Sequence, residues 1–175
     1  MKLRKAEKTD LKKITALYKK VAETPNGIAR TPQEISEKWV EDFLNNALTK
    51  GLIFVVEHPE NAEKVIAEIH CHKFDPACFK HVLANLTIVV HPDFQGGGLG
   101  KKIFSHLLSE IQTHHLEIAR VELFTRNNNA RGIRLYQSLG FKIEGICESR
   151  ILDANGDLGG DVMMAWLNPR FLNQF

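Results

Sequence analysis

The residues best suited to chemistry lie in one stretch, Leu86 to Lys102. An apolar run, Leu86-Thr87-Ile88-Val89-Val90, leads into His91-Pro92-Asp93-Phe94 and then Gln95-Gly96-Gly97-Gly98-Leu99-Gly100-Lys101-Lys102. The run is β-branched and predicts a buried strand. Pro92 has no backbone donor and restricts His91, so the strand must stop or bulge there. Four glycines within five residues give a loop without side-chain walls and with free access to positive φ. Beyond it Leu99, Ile103, Phe104, Leu107, Leu108 and Ile111 recur at helical spacing. The first turn of a helix carries N–H groups with no intrahelical partner, and the helix dipole adds positive potential. Strand, glycine loop and helix start therefore make a phosphate cradle, with Lys101 and Lys102 at its edge.

Two common cradles are excluded by spacing. A Walker A loop, Gly-x-x-x-x-Gly-Lys-Ser/Thr, would need glycine at Gln95 and a hydroxyl at Lys102. A dinucleotide fingerprint, Gly-x-Gly-x-x-Gly, fails at Lys101 or at Ile103, depending on the starting glycine. The pattern that fits is Gln/Arg-x-x-Gly-x-Gly/Ala, filled by Gln95, Gly98 and Gly100. It resembles the acyl-CoA pyrophosphate loop of the GNAT superfamily of N-acetyltransferases.

The elements that must position this loop can be read in order. Leu3 to Ala6 predicts a short strand. Thr9-Asp10 caps a helix running to about Ala22, with Leu11, Ile14, Leu17, Tyr18 and Val21 inward. Thr24-Pro25-Asn26-Gly27 is a turn signal, and Thr31-Pro32-Gln33-Glu34 reads as a helix start, with Ile35, Trp39, Phe43, Ala47 and Leu48 inward. Strands follow at Leu52 to Val56 and Val65 to Lys73. In the second, Ile69 and Cys71 face one way, and Glu68, His70 and His72 the other. His81 to Val90 is the strand before the loop, and the helix after it ends near His115. Ala119 to Thr125 is a strand; a short helix carries Ile133, Leu135, Tyr136 and Leu139 and stops at Gly140. Phe141 to Leu152, the turn Asp153-Ala154-Asn155-Gly156-Asp157, and Asp161 to Leu167 form a hairpin. The order β-α-α-β-β-β-α-β-α-β-β predicts an α+β (mixed α/β) class.

A second resemblance lies in the later segment. Asn129-x-x-Gly132-x-x-Leu135-Tyr136-x-x-x-Gly140-Phe141 is similar to the GNAT signature Asn-x-x-Ala-x-x-Leu-Tyr-x-x-x-Gly-Phe, with Gly132 at the alanine position. The resemblance implies the GNAT fold: one central, mostly antiparallel twisted sheet of about seven strands flanked by four helices, splayed at the acyl-CoA site. It implies acetyl-CoA as cosubstrate, lying where the strand through Leu86 to Val90 parts from that through Ala119 to Thr125. Ile88, Val89 and Val90 would then pair with the pantetheine amides. The amides of Gln95, Gly96, Gly97, Gly98, Leu99, Gly100 and Lys101 would hold the pyrophosphate, and Asn129 would bond to the pantetheine arm or nearby backbone. Tyr136 would stand near the sulfur as the acid for the departing thiolate.

The reaction so implied is acetyl transfer from a thioester to a primary amine of a small molecule or peptide. An ammonium must first lose a proton, and the family supplies no universal base. Glu68, beside His70 and His72, is one candidate, because imidazoles can relay a proton. Glu122, with Arg120 and Phe124 on its side, is the other. Each also has a purely structural reading as part of a polar face. His70 and His72, with His81 across a hairpin, lack a third ligand fixed by spacing, so no metal is expected. His106, His114 and His115 are expected at the surface.

Composition bounds the rest. A chain of 175 residues predicts a single domain over 1–175, and 43% hydrophobic with 25% charged residues is ordinary for a globular protein. A net charge of +2 gives no argument for nucleic acid. Three cysteines without a Cys-x-x-Cys, no apolar signal core and no bilayer-length run lead to the expectation of a cytoplasmic protein with no membrane partner. Two further readings stay open: a non-catalytic acyl-CoA sensor of the same fold, and a nucleotide-phosphate binder. The acceptor is unreadable from the segments that would shape it, Thr24 to Thr49, Phe74 to Lys80 and Asp153 to Asp161. So is the choice between monomer and homodimer.

Overall fold

The structure, a computed structural model, describes residues 1–24, 27–73, 75–153 and 155–173. Pro25 and Asn26 of the first turn signal, Phe74, and Ala154 of the hairpin turn lie outside the described residues. The strands are β1 (Leu3–Lys5), β2 (Gly51–His58), β3 (Asn61–His72), β4 (Val82–Val90), β5 (Arg120–Arg126), β6 (Lys142–Leu152) and β7 (Leu158–Leu167). Among the described residues four helices exceed two turns: α1 (Leu11–Ala22), α2 (Glu37–Lys50), α3 (Leu99–His114) and α4 (Ala130–Ser138). The element order is the one the periodicities predict. The strands form a seven-stranded mixed sheet in the order β1-β2-β3-β4-β5-β7-β6. The pairings β1–β2, β2–β3, β5–β7 and β6–β7 are antiparallel, and β4–β5 is parallel.

Contacts group the chain into two compact units, one of Met1–His72 with Thr87–Ser109, the other of Lys73–Leu86 with Glu110–Phe175. In the first, an apolar cluster joins Ile14, Leu17, Tyr18 and Val21 of α1 to Val40, Phe43 and Leu44 of α2, with Ile53, Val55 and Val65 from the strands. Arg4 ties the chain start to this core. Its guanidinium forks onto both oxygens of buried Asp10 at 2.7 and 2.9 Å and donates from Nε to Glu57 at 2.6 Å. Glu7 and Asp10 form a reciprocal capping box ahead of a 3-10 turn at Lys8–Asp10, so the entry to α1 is set earlier than the Thr9-Asp10 cap predicts.

Two expectations about α2 need correction. Thr31 and Glu34 do form a capping box around Pro32, but the turn it opens is 3-10 and closes at Ile35, whose ψ of 88° is not helical. Ser36 then caps the true helix, accepting from Trp39 N–H at 3.1 Å. Ile35 is buried from the connection, and Leu48 is 37% exposed, so Val40 and Leu44 take the inward places assigned to them. The boundaries of β3 also move: it stops at His72 and leaves Lys73 out.

In the second unit, Val121 and Leu123 of β5 and Met164 and Trp166 of β7 build a buried layer. The parallel β4–β5 ladder pairs Val82 with Arg120 and Leu83 with Val121, and just past these rungs Asn85 takes a φ of 53°. β6 lies at the sheet end and is exposed along nearly all its length.

Candidate active site

The glycine loop follows directly from the end of β4. His91 N–H donates to Ile66 O at 2.8 Å, a last bond to β3, and Pro92–Phe94 then turn as a 3-10 segment. Gln95 reaches back, its Nε2 donating to Val90 O at 3.0 Å. That bond holds the loop entrance against the strand end. Gly96 and Gly98 adopt φ of 86° and 79°, where an L side chain is strained. A Cβ placed on Gly96, Gly97 or Gly98 would meet no described atom within 4 Å. Packing therefore leaves room at all three; the backbone conformation calls for glycine at Gly96 and Gly98, and the missing side chains keep the approach to the backbone open. The first helical bond runs from Lys102 N–H to Gly98 O at 3.0 Å. Hence the N–H groups of Leu99, Gly100 and Lys101 precede the intrahelical ladder and remain available to an anion.

Asn129 is the N-cap of α4, in the second unit. Its Oδ1 accepts from Gly132 N–H at 3.0 Å, and its Nδ2 donates to Thr125 Oγ1 at 3.0 Å. A Cβ at Gly132 would lie 2.8 Å from Asn129 Cγ, so glycine at this position makes room for the cap. Tyr136 stands two turns along the helix, and burial pushes its hydroxyl up to about 12. Gly140, with φ 93°, ends the helix; a Cβ there would only touch the Trp166 ring, at 3.4 Å, so it is the backbone conformation that calls for glycine.

The two carboxyl candidates have very different settings. Glu68 is fully buried in the first unit. The Tyr18 hydroxyl donates to its Oε2 at 2.6 Å, and His70 Nδ1 lies 3.0 Å from its Oε1. His70 in turn stacks on Phe43, ring centroids 4.2 Å apart and nearly parallel at 7°. The polar face of β3 is thus covered by α1 and α2. Next on that face, burial, His70 and Lys50 together lower His72 to about 4. Burial likewise raises the thiol of Cys71 to about 12. Glu122, in the second unit, accepts from Arg120 Nε at 2.8 Å, while the same guanidinium reaches Glu144 at 2.8 Å. Among the described residues no group of three or more His, Cys, Asp or Glu is placed to hold a metal.

The loop Gln95 to Lys101, the end of β4 and Glu68 thus share the first unit, while Asn129, Tyr136 and Glu122 share the second. Tyr18 was not singled out by its sequence pattern. The available signal was its place on the inward stripe of α1, where a buried phenol must find a hydrogen-bond partner.

Residues 14–141 match the model of the "Acetyltransferase (GNAT) family". The chain belongs to the GNAT acetyltransferase family. Similar proteins include the L-amino acid N-acyltransferase MnaT of Escherichia coli, 37% identical over 67 residues, which are 37% of this chain and 36% of that protein. The ribosomal protein bS18-alanine N-acetyltransferase of Salmonella typhimurium is 44% identical over 55 residues, 31% of this chain and 36% of that protein. The matched stretch therefore spans about a third of these curated relatives. The likeness in fold extends further. The structure of the acetyltransferase yncA from Salmonella typhimurium, with its cofactor acetyl-CoA, superposes with a TM-score of 0.78 at 21% identity, covering 95% of this chain and 92% of that one. No helix among the described residues is long and apolar enough to cross a membrane.

Proposed function

We propose that this GNAT chain is an acetyl-CoA-dependent N-acetyltransferase acting on a primary amine of a small molecule or peptide in the cytoplasm. The observation that carries this reading is the loop at the start of α3. Gly96 and Gly98 hold positive φ, the space a Cβ would take is open, and the N–H groups of Leu99, Gly100 and Lys101 precede the first helical bond. That donor set fits a diphosphate. The relatives' names agree: they acylate amino acids or a ribosomal protein's alanine.

Acetyl-CoA supplies the acetyl group as a thioester. In our reading Gln95 to Lys101 bind its diphosphate, the backbone of Ile88, Val89 and Val90 orients the pantetheine amides, and Asn129 fixes the start of the helix that carries Tyr136. The amine nitrogen forms the new bond to the acyl carbon as the carbon–sulfur bond breaks. The Tyr136 hydroxyl gives its proton to the leaving sulfur, and its burial keeps that proton in place at neutral pH. The amine's own proton passes to Glu68 by way of His70, 3.0 Å away. Glu122 is the alternative base.

An amine panel, followed by release of free thiol from acetyl-CoA, tests the reading. Thiol release that depends on one class of amine supports it. Coenzyme binding without thiol release for any amine would replace it with the non-catalytic acyl-CoA sensor.

A further inference from the structure

Two short motifs in the first unit match each other, His58-Pro59-Glu60 and His91-Pro92-Asp93. Each begins where a strand ends. Pro59 and Glu60 make the two-residue turn between His58 of β2 and Asn61 of β3, and Pro92 opens the 3-10 segment after β4. In each, proline presets φ for a turn, and the N–H two residues after the histidine swings back to its imidazole. Glu60 N–H donates to His58 Nδ1 at 3.1 Å, and Asp93 N–H donates to His91 Nδ1 at 3.3 Å. Both rings then meet Phe94. Their centroids lie 5.3 and 5.8 Å from its own, in T-shaped contacts at 81° and 75°. Phe94 thus reaches across β3 to the end of β2, and it directly precedes Gln95. The loop entrance is held by these two rings and by Gln95 Nε2 on Val90 O.

The hydrogen bonds fix the charge state of both rings. A backbone N–H can only donate, so each Nδ1 must offer a lone pair, whereas an imidazolium carries a proton on both nitrogens. A proton added at Nδ1 would face the N–H of Glu60 or Asp93 and break the bond. At His91 a substitute partner stands close, since Asp93 Oδ2 is 3.7 Å from Nδ1. The charged groups around the pair are Glu60 and Asp93 of the same two turns, and Lys20 of α1, whose charge acts on Asp93.

We propose that His58 and His91, in their neutral form, are positioning residues for the coenzyme's diphosphate: through Phe94 they hold the entrance of the loop, and acidification releases it. The proposal rests on the acetyl-transfer reading above. A protonated His91 exchanges the Asp93 N–H for the Asp93 carboxylate and leaves its place on Phe94; a protonated His58 loses its turn bond. Binding therefore requires both rings to be free of the second proton. Affinity is full above the imidazole range and falls as pH drops through it. Neither ring moves protons between the substrates.

The test uses the full chain and two readouts. Nitrogen-15 NMR of the free protein at about pH 7.5 reads the tautomers, and both rings should carry hydrogen on Nε2 and none on Nδ1. A proton on either Nδ1 would overturn the proposal without any coenzyme present. Calorimetry of acetyl-CoA at about pH 7.5 and 5.5 follows. Each imidazole that must stay neutral weakens binding about 10-fold over that interval. The double variant His58→Asn with His91→Asn keeps an oxygen able to accept the same N–H groups in an Asx-turn, and it cannot gain the proton. The unmodified protein should lose at least about 10-fold more affinity on acidification than this variant. Any titration of the coenzyme itself is common to both proteins and cancels in that comparison. His91→Asn alone should recover about 10-fold of the difference, which keeps the test open should the double variant fail to fold. Equal losses in the unmodified protein and the variants, or no loss in the unmodified protein, would overturn the positioning role. Failure of the unmodified protein to bind acetyl-CoA at either pH would overturn the acetyl-transfer reading, and this proposal with it.

Discussion

The Tyr18 hydroxyl donates to Glu68 Oε2 at 2.6 Å with both side chains sealed from solvent. Burial and the adjacent Glu68 hold the phenol's pKa well above its ordinary value, so the hydroxyl keeps its proton and remains a donor. Removing it would leave one oxygen of a buried carboxyl without that bond. Tyr18→Phe is expected to lower stability by about 1–3 kcal/mol, measured by urea unfolding. It should also displace the pH–rate profile if Glu68 takes the acceptor's proton. An unchanged profile with the expected loss of stability would confine the pair to a structural role and move the base assignment to Glu122.

Asp10 gives a pH dependence of stability. Burial opposes its ionisation, but the Arg4 fork and the Glu7 N–H outweigh burial and leave its pKa below the usual 3.8. A depressed carboxyl stabilises the folded state above its unfolded pKa, and that contribution fades as pH falls through the lower folded value. Stability should therefore decline below about pH 4. Asp10→Asn should be less stable at pH 7 by about 1–3 kcal/mol and should show a shallower acid decline, followed by urea unfolding across pH 2 to 7. Equal acid slopes would contradict this account of the Arg4–Asp10 pair.

Tyr136→Phe should reduce kcat about 100-fold and leave acetyl-CoA affinity within about 2-fold, measured by steady-state rates and calorimetry. Because burial raises the hydroxyl to about 12, its ionisation should produce no basic limb in kcat below about pH 11. Equal losses in turnover and affinity would remove Tyr136 from the role of acid.

Gly97 separates folding from binding. A Cβ there meets no described atom within 4 Å, and its φ is not in the left-handed region, so Gly97→Val should fold with stability within about 0.5 kcal/mol of the parent. The same branched side chain would stand where a diphosphate must approach, and acetyl-CoA affinity should fall at least about 10-fold. Normal affinity in the folded variant would place the coenzyme elsewhere.

Much of this was legible because the signals were strong and local. The β-branched run Leu86 to Val90, the glycines and the stripe from Leu99 to Ile111 fixed strand, loop and helix, and all six stripe residues are buried. Gly140 ended α4 as its backbone freedom predicts. What escaped depends on distant partners or on competition between neighbouring signals. Thr31-Pro32-Gln33-Glu34 is a true capping box, yet Ile35 breaks the turn and Ser36 restarts the helix. Alternation in β3 put Glu68 and His70 on a polar face, but did not reveal that residues from α1 and α2, Tyr18 and Phe43, cover it. The meeting of His58 and His91 on Phe94 joins two distant turns and was likewise out of reach of local patterns.

The most direct measurement is a crystal structure of the chain grown with acetyl-CoA. The diphosphate oxygens should lie about 2.7–3.2 Å from the backbone nitrogens of Leu99, Gly100 and Lys101, with Gly96 and Gly98 still at positive φ. A diphosphate bound away from the start of α3, or a protein that binds the coenzyme with that loop untouched, would contradict the account.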